Sequence, residues 1–197
     1  MRTILEKYEA LLEIERSSFY SFLFPINSED DARKIIDEIR KKHPKARHCC
    51  YAYKVGIFQK SSDDGEPKGT AGRPLMDVIL KNNLDNTLLI VVRYFGGIKL
   101  GAGRLLRTYV DAAALAINKA KIYTVHEAYV YRLTLSHSHY DLLLRHLRNN
   151  DVDIDETYFE EEIIMDVSCL NEIEDLLILL FHNQIKIEKL DKKIKYK

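Results

Sequence analysis

The segment NTLLIVVRYFGGIKLGAGRLLRTYV (Asn86–Val110) decides the fold of the first half of the chain. Residues 87–92 are apolar without alternation, which is typical of a strand buried on both faces. Four glycines then lead into a helix that we predict from Ala102 to about Ala120, because apolar residues recur there at helical spacing. The segment therefore predicts a helix that packs back on a buried strand.

The residues before this segment predict further strands and helices. Phe19–Ile26 is predicted to be a strand that ends at Pro25, and a helix follows at about Glu29–Lys42 with Asn27 or Ser28 as its N-cap. His48–Phe58 predicts a strand or hairpin, because it is rich in Tyr, Val and Cys. Pro74 lies near the first turn of a short helix that extends to about Lys81.

The second half of the chain differs in composition and charge. All eight glycines and all four prolines lie between Pro25 and Gly103. Residues 1–125 hold 21 Lys and Arg against 15 Asp and Glu, whereas residues 126–197 hold 9 against 15. These breaks predict two domains, residues 1–123 and 126–197. The second has the order β-α-β-β-α-β, which is that of a ferredoxin-like split βαβ sandwich. The predicted fold class is α+β.

Composition limits the kind of protein. The chain has 197 residues, 46% hydrophobic and 30% charged, as in an ordinary soluble globular protein. Neither a membrane-spanning run nor a secretion signal is recognised. Cys49, Cys50 and Cys169 suit no disulfide framework and no zinc site, so we expect a cytoplasmic protein without a metal or cofactor.

Two glycine-rich loops are the candidate binding elements. The first, GEPKGTAGRP (Gly65–Pro74), includes Gly65, Gly69 and Gly72, and the second includes Gly96, Gly97, Gly101 and Gly103. A strand that passes through glycines into a helix can hold an anion, and Arg93, Lys99, Arg104 and Arg107 add charge there. Neither a P-loop nor a dinucleotide fingerprint is present. The alternative is a tight turn packed against the sheet, with solvated arginines.

Carboxylates and cations flank the first loop. Asp63, Asp64 and Glu66 can bind a hard cation or supply acid–base chemistry, but their spacing is not that of a calcium loop. The favoured alternative is an Asp-Gly turn with solvated charge. A basic patch, Lys41, Lys42, Lys45 and Arg47, either compensates a helix dipole or contacts phosphates. A buried structural cysteine is favoured over an activated thiol in His48-Cys49-Cys50.

Two long motifs together resemble the IMPACT/YigZ family. They are SDDGEPKGTAGRP (Ser62–Pro74) and VVRYFGGIKLGAG (Val91–Gly103), and the similarity covers about residues 8–120. The family's loop usually runs G-x-G-G-L, and Arg104 stands here in place of the second paired glycine. The resemblance implies a first domain like domain 2 of ribosomal protein S5 and a second like the C-terminal domain of elongation factor G. It also implies a link to translation, since eukaryotic members regulate translation by binding a co-activator of the starvation-response kinase.

Two functional hypotheses follow. The leading one is a non-enzymatic translation- or RNA-associated protein that contacts RNA or the ribosome through Arg73, Arg93, Lys99, Arg104, Arg107 and the basic patch. In the second, an enzyme or ligand-binding protein has its site between the two loops, with Asp64 and Glu66 as base or metal ligands and Arg73 and Arg93 as anion clamps. The acidic second domain is a further candidate surface for a protein partner.

Overall fold

The computed structural model describes all residues from Met1 to Lys197 and has mixed helix and sheet. The chain forms two compact units, Met1–Thr124 and Val125–Lys197. No helix combines the length and the apolar character that crossing a membrane requires.

The first unit is built on a five-stranded antiparallel sheet with the order β2-β3-β6-β4-β5. Its elements are, in chain order, β1 (Arg2–Thr3), β2 (Tyr8–Ile14), β3 (Ser17–Pro25), α1 (Glu29–Lys42), β4 (His48–Val55), β5 (Phe58–Ser62), α2 (Gly72–Lys81), β6 (Thr87–Tyr94) and α3 (Ala102–Lys119). Outside this sheet, β1 pairs with Tyr123 and Thr124, the first residues of the strand that enters the second unit.

Helices cover both faces of the β6 region. Ala32, Ile36 and Ile39 of α1 pack on one face, while α2 and α3 pack on the other. Because β6 lies between these two cores, every residue from Thr87 to Arg93 is buried. This explains why the strand has an unbroken apolar run instead of an alternating pattern.

Local sequence accounts for the helix ends. Ser28 is the N-cap of α1, and its hydroxyl accepts a hydrogen bond from the Asp31 N–H. Acidic residues in the first turn and basic residues in the last turn complement the helix dipole. The bounds predicted for α1 are those observed, and α3 starts at Ala102 as predicted and ends at Lys119.

The second unit has a four-stranded antiparallel sheet with the order β10-β7-β9-β8. Its elements are β7 (Tyr123–Leu135), a 3₁₀ turn (His137–His139), α4 (Tyr140–Asn149), β8 (Asp153–Phe159), β9 (Ile163–Cys169), α5 (Glu174–Phe181) and β10 (Lys186–Tyr196). Its core joins α4 and α5 to the sheet through Leu143, Leu147, Leu177 and Phe181. The element order is the predicted β-α-β-β-α-β, but β10 extends beyond the predicted end at Leu190.

Candidate functional site

Asp63 closes the first glycine-rich loop. Its carboxylate accepts hydrogen bonds from the backbone N–H groups of Gly69, Ala71 and Gly72 at 2.8–2.9 Å. Burial raises the pKa of this carboxyl, but the three N–H donors outweigh it, and the pKa is lowered overall. The loop is therefore folded around its own ionised acid.

A buried ion pair connects this loop to the strand that precedes the second loop. Glu66 Oε1 accepts hydrogen bonds from Arg93 Nη1 at 2.7 Å and from Tyr109 Oη at 2.9 Å. The side chains of Arg93 and Glu66 are only 6% and 4% exposed. Arg93 also contacts two aromatic rings, Phe19 at 5.3 Å and Phe95 at 5.2 Å from the ring centroids. Because Arg93 is the last residue but one of β6 and Tyr109 lies in α3, Glu66 holds the first loop against both flanks of the second.

His48 extends the cluster. Its Nδ1 lies 2.9 Å from the Asp64 carbonyl oxygen, so Nδ1 carries a proton and donates it. Its Nε2 lies 3.8 Å from Glu66 Oε2, which is beyond hydrogen-bond distance. Asp64 also fixes the first glycine-rich loop, to β4 and α1. Its carboxylate accepts a hydrogen bond from the Cys49 N–H at 2.7 Å and pairs with Arg40 at 2.5 Å.

The two adjacent cysteines are not activated. Cys50 lies on the α3 side of the sheet, with Sγ 3.3 Å from Tyr109 Oη, and burial raises the pKa of its thiol well above the ordinary value. Cys49 lies in the core on the α1 side, and burial raises its pKa to about 11. Both thiols stay protonated near neutral pH and are poor nucleophiles.

The second glycine-rich loop packs on the turn between β2 and β3. The Gly96 N–H donates to Ser17 Oγ at 3.1 Å, and a Cβ at Gly96 would lie 2.0 Å from the Arg16 carbonyl oxygen. Only glycine permits that approach. Gly101 has a φ of +76° immediately before α3, whose first turn contains no acidic residue.

The cations predicted to contact phosphate fall into three groups. Arg93 is buried in the ion pair with Glu66, so its side chain does not lie on the surface where a phosphate backbone could contact it. Arg73 and Arg104 are exposed and pair with Asp77 and Glu15 at 3.0 and 2.9 Å. The others are exposed and have no carboxylate partner: Lys41, Lys42, Lys45, Arg47, Lys99 and Arg107.

Topology brings several of these cations to one end of the sheet. The Arg47 N–H donates to the Arg93 carbonyl at 3.3 Å, so the segment after α1 lies beside the start of the second loop. Lys99 lies in that loop, and Arg104 is in the first turns of α3 just after it. This end of the first unit is therefore rich in exposed positive charge.

Two features of the site differ from the sequence interpretation. The expected Asp-Gly turn with solvated charge is wrong for Glu66, which is buried, because a tertiary partner 27 residues away compensates its charge. Tyr109 appears in the sequence only as a member of an apolar stripe. A Tyr in a buried stripe needs a partner for its hydroxyl, and this requirement could have identified it as part of a polar cluster.

No group of three His, Cys, Asp or Glu side chains is arranged to hold a metal ion. The arrangement neutralises buried charge and fixes the two loops. The carboxylates of Glu66 and Asp64 are paired with Arg93 and Arg40, and Asp64 also accepts from the Cys49 N–H. Arg93 Nε is buried without a hydrogen-bond partner.

Comparisons with known proteins place the chain in a family. The family model of the Impact N-terminal domain matches residues 15–117. The chain belongs to the IMPACT family. It is 44% identical over 119 residues to "IMPACT family member YvyE" of Bacillus subtilis, covering 59% of this chain and 55% of that protein. It is 38% identical over 102 residues to "IMPACT family member YigZ" of Escherichia coli, covering 49% and 50%.

These matches span about half the length of the curated relatives. A solved structure described only as a hypothetical protein covers 96% of this chain and 97% of its own, with a TM-score of 0.60 and 24% identity. At that identity the likeness shows a shared fold.

Proposed function

We propose that this IMPACT family protein is a non-enzymatic, translation-associated regulatory protein that contacts RNA or the ribosome through its first unit. The observation that carries the proposal is the contrast between two sets of charges. The acids Asp63, which is half-buried, and Glu66, which is buried, have hydrogen-bond donors or an ion pair within the fold, whereas six of the predicted phosphate-contacting cations are exposed without a carboxylate partner.

The two units support this assignment in different ways. In the second, the sheet order β10-β7-β9-β8 with both helices in its core suits a ferredoxin-like domain akin to the C-terminal domain of elongation factor G. In the first, the five-stranded antiparallel sheet with helices packed on its faces suits a domain like domain 2 of ribosomal protein S5. The acidic second domain would then serve a protein partner, and three unpaired, buried cysteines suit action in the cytoplasm.

A small-molecule site between the loops has less support. A general base needs a carboxylate that a substrate can approach. Glu66 is enclosed by Arg93 and Tyr109, and Asp64 is engaged by Arg40 and the Cys49 N–H.

The test measures ribosome co-sedimentation and RNA affinity over a series of salt concentrations. Each phosphate contact contributes roughly 0.7 to the slope of log K against log salt for single strands. Replacing Lys41, Lys42, Lys45 and Arg47 by Gln should weaken binding and flatten that slope. A control variant replaces four other exposed lysines of the first unit outside both glycine-rich loops, Lys34, Lys60, Lys81 and Lys121.

We expect the patch variant to lose binding while the control variant, which has the same net charge, keeps it. The proposal is refuted if the wild type binds neither RNA nor ribosomes at low salt. Equal losses in the two variants would show that net charge alone, and not this surface, drives binding.

A further inference from the structure

The face of the first sheet that packs on α1 continues past that helix as an open groove. Antiparallel pairing places Glu9 opposite Phe22 and Leu11 opposite Tyr20, so these four side chains share one face. Beside the end of α1, the groove has a volume of about 470 Å³ and is open to solvent. That volume is within the range of small-ligand sites.

Aromatic rings form the floor of this groove. The ring of His43, which follows α1, lies 5.6 Å from those of both Tyr20 and Phe22. Tyr20 is half-buried and its hydroxyl has no hydrogen-bond partner in the fold, while Leu11 is 45% exposed. The groove thus offers flat π-surfaces and apolar area to a partner.

Lysines form the rim. Lys7, Lys42 and Lys119 line the groove together with one acid, Glu9, which pairs with Lys7 at 2.9 Å. Lys7 Nζ also lies 5.2 Å from the centre of the Phe22 ring. Burial first, and then the charges of Lys42 and Lys7, lower the pKa of His43, so its ring is neutral at neutral pH. Three ammonium groups against one carboxylate leave the rim positive.

We propose that this groove binds a nucleotide of single-stranded RNA, with a base stacked on Tyr20 next to His43 and the backbone phosphates against Lys7, Lys42 and Lys119. A positive rim beside aromatic faces is what single-strand binders combine, because every base has a π-face and every linkage carries a phosphate. An acidic peptide would satisfy the lysines but would leave the aromatic floor without a stacking partner. The inference rests on the proposed function, and it adds a requirement for bases that binding by the exposed cations alone does not have.

The experiment measures fluorescence anisotropy of the full chain with a short unstructured RNA and with an abasic oligomer of the same length and charge. Tyr20→Leu removes the stacking face, and Tyr20→Phe keeps it. Phe58→Leu is the matched control, since Phe58 is an exposed aromatic residue of β5 outside the groove. Urea unfolding of each variant verifies that it is folded.

We expect the RNA to bind more tightly than the abasic oligomer, and Tyr20→Leu to weaken RNA binding about 5- to 150-fold, the range for loss of one stacked base. Tyr20→Phe and Phe58→Leu should bind like the wild type, and Lys7→Gln should weaken both oligomers. If RNA and abasic oligomer bind equally, or Tyr20→Leu is harmless, the groove proposal fails while RNA binding by the exposed cations stands. If the protein co-sediments with ribosomes but does not bind the short RNA, the groove proposal also fails and the proposed function stands. Tighter binding of polyglutamate than of RNA would overturn the proposal in favour of an acidic protein partner.

Discussion

The ion pair between Glu66 and Arg93 makes a quantitative prediction about stability. Glu66→Ala leaves the Arg93 guanidinium without a counter-ion, in a side chain that is only 6% exposed. Removing one partner of a buried pair costs about 3–5 kcal/mol, because the remaining charge is uncompensated. The hydroxyl of Tyr109 also loses its carboxylate acceptor. The loss is a large fraction of the 5–15 kcal/mol that typically stabilises a folded domain.

Two further variants separate charge from shape. Glu66→Gln keeps an oxygen that can accept from Tyr109 and Arg93, so we expect a smaller loss, about 1–3 kcal/mol. The double variant Glu66→Leu with Arg93→Met removes both charges, so it should be more stable than Glu66→Ala alone.

The assay is urea unfolding followed by circular dichroism, with hydrogen exchange to assign the loss to residues 1–124. The change in midpoint at constant slope reports the free energy. A loss below about 1 kcal/mol for Glu66→Ala would mean that the pair behaves as a solvated surface pair, which would refute the argument. A double variant Glu66→Leu with Arg93→Met that is no more stable than Glu66→Ala would also contradict the prediction.

Two more predictions concern the loops. Gly96→Ala should destabilise the protein by about 1–3 kcal/mol or more, because its Cβ would overlap the Arg16 carbonyl. Gly103 lies in α3, and a Cβ there would have no atom within 4 Å, so Gly103→Ala should be neutral or stabilising by up to about 1 kcal/mol. Thermal melts in which Gly103→Ala is the less stable variant would contradict this description of the loop. Asp63 has a pKa below that of the unfolded chain, so its contribution is present above about pH 4 and is lost as the pH falls through the folded-state pKa. Asp63→Asn should therefore be less stable than the wild type at neutral pH, and the gap should narrow in acid; urea midpoints that differ by the same amount at every pH would show that the ionised form has no special role.

The sequence predicts elements well where their limits are written locally. α1 has a Ser28 cap, a charge gradient and Pro44 beyond its end, and its predicted bounds are those observed. β2 is different, since YEALLEI has helix-favouring residues and no strand is predicted before Phe19. Its pairing with β3 is a tertiary fact, and the turn between them places Glu15 and Arg16 at positive φ without any glycine to mark it.

The predicted end of β10 is wrong for a related reason. The predicted strand stops at Leu190, but the observed strand resumes its pairing at Lys193 after an irregularity in register. A bulge shifts the alternation of side chains by one position, so a period-two pattern cannot be followed across it.

In the candidate site, the sequence does not reveal which charged side chains are buried. The glycines and cations are recognisable by residue type, but burial is not, and a carboxylate beside a turn looks alike whether solvent or Arg93 neutralises it. Glu66 was expected in a solvated turn and is buried, while Asp64, two residues away, remains partly exposed. Both acids have partners far away in the sequence, but the partners of Glu66, Arg93 and Tyr109, are themselves buried, whereas Arg40 beside Asp64 is exposed; no local pattern encodes this difference.

Position 104 affects the surface charge of the first unit but not the conformation of the second glycine-rich loop. The loop pattern that the resemblance implies has glycine where this chain has Arg104, yet position 104 is inside α3, where the helical backbone does not require glycine. The freedom of glycine is used instead at Gly96, for a close approach, and at Gly101, for a positive φ. The added cation already pairs with Glu15, so it contributes less free positive charge to this end of the sheet than Lys99 or Arg107, which have no such partner. A substitution at 104 should therefore change the surface charge modestly and leave the conformation of the loop intact, so loop conformation and surface charge can vary independently at this position.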